Sequence, residues 1–190
     1  MHSFLVSIGL VALAEIGDKT QLLSLILSAR FRKPIPIILG ILAATVLNHA
    51  FAGAIGSWLS RLIGMQVLSW ILTVSFLAMS VWILIPDKVD ETTGRDPDRF
   101  GVFWTTFAAF FLAEMGDKTQ IATVALAARY QDLFAVVLGT TVGMMLANVP
   151  VVYLGDKLSR KLPLKPIRIL TSVLFLVLGI FSLLRSLGKF

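Results

Sequence analysis

The pattern Glu-x-Gly-Asp-Lys-Thr-Gln occurs twice in this chain, at residues 15–21 and again 99 positions later at 114–120, each time inside a long apolar stretch. Three ionisable groups per copy therefore have to be housed where the surrounding sequence avoids water. The rest of the composition leaves little room for a soluble solution: 57% of the 190 residues are hydrophobic and 15% charged, with a mean hydropathy of +0.87. Soluble domains run at about 45 to 50% apolar and about 25% charged, and one globule of this size cannot hide so much apolar surface. Lipid is the solvent for most of the chain, and nucleic acid is not an expected partner despite the net charge of +6. Cysteine is absent, which removes disulfides, thiolate metal sites and thiol chemistry.

A helix needs roughly 20 residues to cross a hydrocarbon core. Charge-free stretches reach that length in six places if two pairs are joined across the motifs, predicting helices over about 4–27, 35–58, 66–85, 102–127, 133–155 and 167–186. With the N-terminus outside, eleven Lys and Arg fall on the inner side (Arg30, Arg32, Lys33, Lys88, Arg95, Arg99, Lys157, Arg160, Lys161, Lys165, Arg168) and four on the outer (Arg61, Arg129, Arg185, Lys189). Positive charge concentrates in cytoplasmic loops, so both termini are expected outside. Ala12-Leu13-Ala14 imitates a signal-peptide cleavage site. No basic segment precedes it, and cleavage would discard half a span whose twin recurs later.

Offsetting the chain by 99 aligns residues 13–61 with 112–160 without a gap, and 18 of the 49 pairs are identical. The third helices match loosely, as Phe76-Leu77 with Phe175-Leu176. Three spans per half is an odd number, so the second half enters the membrane from the opposite side. The expected fold class is an all-α integral membrane protein of six transmembrane helices, built as two inverted-topology three-helix repeats: residues 1–86, a polar cytoplasmic linker 87–99, and residues 100–190. Such repeats place a substrate site near the midplane where they meet. Pro34, Pro36 and Pro166 mark helix starts. Pro150, inside the fifth span, is expected to free the carbonyl of Leu146, giving a kink or an acceptor facing a cavity. Gly139-x-x-x-Gly143 and Gly40-x-x-x-Ala44 read as close-packing stripes, and Met144 and Met145 as core.

Each charge near the centre of a span costs about 2.5 to 3.5 kcal/mol, so roughly 9 per motif, while a good apolar residue returns about 0.3 to 0.6. The motifs must face protein, water or an ion. On a continuous helix Glu15, Asp18 and Lys19 share one face, as do Glu114, Asp117 and Lys118. Gly17 and Gly116 permit close helix approach or a local unwinding. If the motifs meet, four carboxylates and two ammoniums leave a charge of about −2 in a low-dielectric pocket, costly unless something cationic enters. One divalent cation balances it, and so do two protons, which suggests that the two compete for the same carboxylates.

Candidate metal ligands are thus Glu15, Asp18, Glu114 and Asp117, then Thr20, Gln21, Thr119, Gln120, Asn48 and Asn148, with Lys19 and Lys118 balancing charge. As single residues, Asn48, Asn148 and His49 serve helix packing as readily. An all-oxygen set favours manganese, calcium or magnesium over copper or zinc. No cofactor signature is present; the ions expected are cargo. Polar glue between helices is the plainer account of a Glu and a Lys four apart, but leaves the second carboxylate of each motif unexplained.

Two copies of Glu-x-Gly-Asp-Lys-Thr, one opening each half of a small six-helix protein, make the chain resemble the family of cation/proton exchangers that includes Golgi calcium and manganese transporters and bacterial manganese exporters. The resemblance covers essentially the whole chain. It implies manganese or calcium transport coupled to protons, with Glu15, Asp18, Glu114 and Asp117 as the cation site. The long N-terminal extension and acidic central loop of eukaryotic members have no counterpart here, so the expected type is compact and bacterial, exporting manganese across the plasma (inner) membrane. A passive cation channel, an intramembrane hydrolase using Asp18 and Asp117, and a structural protein are the alternatives. The hydrolase is disfavoured because a lysine beside each aspartate holds both acids ionised, whereas a catalytic dyad shares a proton.

Overall fold

The computed structural model describes residues 1–85, 101–154 and 164–187. They form eight helices: α1 (His2–Glu15), α2 (Lys19–Phe31), α3 (Pro34–Leu62), α4 (Met65–Trp82), α5 (Gly101–Glu114), α6 (Lys118–Tyr130), α7 (Leu133–Leu154) and α8 (Leu164–Ser186). The expected linker 87–99 lies outside the described residues. Three helices are long and apolar enough to cross a membrane, at Pro34–Leu62, Leu133–Leu154 and Lys165–Ser186, and shorter apolar helices cover His2–Glu15, Gln66–Trp82 and Gly101–Glu114. The chain is an all-helical membrane protein.

The first and fourth expected spans are not continuous helices. Each breaks at its motif into a 14-residue and a 13-residue piece, α1/α2 and α5/α6. The cause is the motif glycine: Gly17 sits at φ 80° and Gly116 at φ 75°, a left-handed backbone that costs other residues about 1 to 2 kcal/mol. Asp18 and Asp117 follow in extended geometry as the N-caps of α2 and α6. The shared helical face expected for Glu15, Asp18 and Lys19 therefore does not exist, since the acids stand on opposite sides of a turn. α2 and α6 both end on a left-handed residue, Arg32 or Gln131, whose N–H returns to the last helical turn.

The helices pair reciprocally. α1 lies along α7 and α5 along α3, while α3 packs against α7 and α4 against α8. The stripes permit the first two contacts. A Cβ on Gly139 would lie 2.6 Å from the Phe4 carbonyl oxygen, and one on Gly40 would lie 2.8 Å from that of Phe103. Phe76 and Phe175, equivalent under the 99-residue offset, touch each other with ring centroids 6.4 Å apart, as residues beside a two-fold axis do. The symmetry is incomplete: α4 also packs on α6 and α8 on α1, without comparable α8–α2 or α4–α5 packing. Met144 is fully buried, as expected of core. Pro150 is accommodated within α7.

Candidate metal centre

Breaking the two helices turns their ends toward one another, and the motif residues meet across the halves. Lys19 Nζ lies 3.2 Å from Asp117 Oδ1, and Lys118 Nζ lies 3.6 Å from Asp18 Oδ1. Each lysine thus pairs with the aspartate of the other repeat, and the offset that carries one ion pair onto the other is the repeat itself. The lysines differ in surroundings: Lys19 keeps 26% of its side-chain surface exposed and Lys118 only 4%, and Lys118 also donates to the carbonyl of Ile85 in the turn after α4.

Among the described residues, Glu15, Asp18 and Asp117 are buried and each offers a carboxylate oxygen within 4.8 Å of the others. Oxygens on opposite sides of a calcium-sized ion lie up to about 5 Å apart. Two of these acids have unspent capacity: Glu15 Oε1 and Asp117 Oδ2 are buried without a hydrogen-bond partner among the described residues, as is Thr119 Oγ1. Glu15 Oε2 accepts from the Thr20 hydroxyl.

Glu114 is treated differently. Thr45 Oγ1 donates to its Oε1 at 3.1 Å and Asn48 Nδ2 to its Oε2 at 3.4 Å, while Asn48 is itself anchored to the Phe111 carbonyl at 3.1 Å. The equivalents of Thr45 and Asn48 in the second half are Met144 and Ala147, which offer no side-chain donor. Glu114 is therefore held on both oxygens by neutral donors, while Glu15 is held on one, by Thr20, and keeps the other open. Thr45 escaped the sequence reading. A Thr and an Asn three apart, hence on one face of an apolar helix, was the signal available.

Other candidate residues are occupied structurally. Gln21 Oε1 accepts from the Gly17 N–H at 2.9 Å and Gln120 Oε1 from the Gly116 N–H at 2.7 Å, so each glutamine reaches back over its own helix start, as in a capping box. Gln21 Nε2 donates to the Ala147 carbonyl, one turn before Pro150. Asn148 accepts from Ser24 at 2.7 Å and donates to the Met144 carbonyl at 3.1 Å. His49 is 1% exposed with both ring nitrogens unpartnered among the described residues.

Fold and site together define a helical membrane protein carrying a cluster of buried carboxylates between two related halves. Residues 3–91 and 102–189 match the family described as divalent cation/proton antiporter GDT1. The chain belongs to that family, which is one of transporters and not an enzyme class, and divalent-cation transport is its business. Among relatives, a Vibrio cholerae protein named "Putative manganese exporter" is 52% identical over 95% of this chain and 90% of its own length. GDT1-like protein 3 of Oryza sativa subsp. indica is 26% identical over 93% and 71%, and GDT1-like protein 5 of Arabidopsis thaliana 25% identical over 97% and 96%. No solved structure matches.

Proposed function

We propose that this protein is a secondary transporter that exports a divalent metal cation, manganese before calcium, across the bacterial plasma membrane in exchange for protons. The observation that carries this reading is the convergence of Glu15, Asp18 and Asp117 within 4.8 Å. Thr20, Thr119 and Glu114 complete the oxygen set around them, with Asn48 behind Glu114, while the side-chain oxygens of Gln21, Gln120 and Asn148 accept structural hydrogen bonds. Four carboxylates against Lys19 and Lys118 leave a deficit of about two positive charges, met either by one divalent cation or by two protons. Mutual exclusion at one set of oxygens couples the two flows provided that the empty, uncompensated site does not change its access, which its buried net charge disfavours. The preference for manganese rests on the name of the Vibrio cholerae relative.

The same reading takes residues 1–86 and 100–190 as inverted three-span repeats joined by a cytoplasmic 87–99, with both termini outside. α1/α2 and α5/α6 are each one broken span, the arrangement in which discontinuous helices supply ion ligands in inverted-repeat transporters. The two lysines brace the site by pairing with the opposite aspartates.

The test uses proteoliposomes containing a pH-sensitive dye, with manganese and then calcium added outside, for wild type and Asp117→Asn. Proton movement opposite to the metal in wild type alone supports exchange at this cluster and ranks the ions. Metal entry without proton movement identifies a channel, and no flux of either ion removes the transport reading.

A further inference from the structure

A second polar site lies away from the carboxylates, where the C-terminal turns of α6 and α8 meet the start of α4. Gln66 Nε2 donates to the Ser186 carbonyl at 2.6 Å and Ser182 Oγ to the Ser69 carbonyl at 3.1 Å, tying α4 to α8 at that end. Between these ties and α6 is a cavity of about 150 Å³ lined by Ser69, Tyr130, Gln131, Ser182, Arg129 and Arg185, with Leu68 and Leu72 as its apolar floor. No acid lines it. Among the described residues neither arginine makes an ion pair, and Arg185 lies close enough to Arg129 for their like charges to repel. Asp132, the acid next in sequence, is engaged by the Ser3 hydroxyl at 3.1 Å and the Ala135 N–H at 3.2 Å. The Arg129 guanidinium is held over the Phe181 and Tyr130 rings, 5.1 and 5.9 Å from their centroids.

Arginines in the last turn of a helix are favoured by the helix dipole. That accounts for each arginine singly, but not for two being turned into one acid-free cavity against their mutual repulsion. Two guanidiniums lining one polar hollow suit a tetrahedral phosphate oxyanion, which accepts paired N–H donors. A metal cation is excluded by the charge.

We propose that the cavity between Arg129 and Arg185 binds a phosphate group, either the phosphodiester of an anionic phospholipid or free inorganic phosphate. The site is independent of the transport reading. The experiment is a thermal-shift titration of the full chain in detergent with dioctanoyl phosphatidylglycerol, with dioctanoylglycerol lacking phosphate, and with inorganic phosphate, for wild type, Arg185→Gln and Arg129→Gln. Arg185 is exposed, so its substitution leaves the fold intact even if Arg129→Gln does not. A saturable stabilisation by the phospholipid but not the diacylglycerol, with affinity about tenfold weaker in Arg185→Gln, is expected on losing one charge-assisted pair and assigns the lipid. The same pattern with inorganic phosphate alone assigns the free anion. Equal responses of wild type and Arg185→Gln, or no saturable response to either phosphate source, overturn the proposal.

Discussion

The two aspartates of the centre are chemically alike, yet their lysine partners stand in different surroundings, and a neutralising substitution reads that difference. Asp117→Asn releases Lys19, whose partly exposed amine can turn toward water; Asp18→Asn removes the carboxylate facing Lys118, which is 4% exposed and stays held to the Ile85 carbonyl, away from water. Removing one partner of a buried ion pair costs about 3 to 5 kcal/mol. Asp18→Asn should therefore lower the thermal midpoint of the purified protein clearly more than Asp117→Asn, even where both abolish metal flux. Equal midpoints would mean that Lys118 finds another acceptor. The hold on Glu114 is testable in the same way. Thr45→Val deletes the donor to Oε1 and should cost about 1 to 3 kcal/mol, the price of leaving a buried acceptor unmet, whereas Thr45→Ser should be close to neutral. Differential scanning fluorimetry on the three proteins decides it.

At the scale of the helix, the break at each motif is what brings the acids together, and it depends on a backbone only glycine adopts at ease. Gly17→Ala and Gly116→Ala should each destabilise by about 1 to 2 kcal/mol and reduce metal flux by displacing the N-cap aspartates. Gly9→Ala, where an added Cβ meets nothing within 4 Å, should change neither. Gly139→Ala tests packing instead, since its methyl would press on the Phe4 backbone of α1, and overpacking of this kind costs about 1 to 3 kcal/mol. These elements also mark how far the sequence could be followed. Apolar runs and the in-register repeat made the helices and the meeting of the motifs legible. The breaks were not, because 100° per residue assumes an unbroken helix and Gly17 is equally at home in a close-packed one. The unequal treatment of Glu15 and Glu114 was legible only in part: Asn48 opposite Ala147 announced an asymmetry, but which carboxylate it touched depended on how α3 and α5 pack.

Over the whole molecule, the halves depart from two-fold symmetry in the third helices as well as in the closer packing of α3 on α6 than of α7 on α2. α4 leans on α6, and among the described residues α8 makes no comparable approach to α2. If, on the proposed inverted-repeat reading, alternating access rocks one repeat against the other and the two halves exchange their packing in doing so, the opposite state should carry α8 on α2 and release α4 from α6. Leu68 and Ala128 line one cavity in the present arrangement, and their equivalents under the 99-residue offset are Ile167 and Ala29. Because the chain has no cysteine, Leu68→Cys/Ala128→Cys and Ala29→Cys/Ile167→Cys report the two arrangements cleanly to a short bifunctional thiol crosslinker. Manganese and an imposed pH gradient should change the two crosslinking yields in opposite directions, since a ligand shifts a two-state equilibrium by its differential affinity for the states. A first pair that crosslinks under every condition, beside a second that never does, would show α4 and α8 to be a fixed frame. Alternating access would then have to come from movement at the breaks around Gly17 and Gly116 alone.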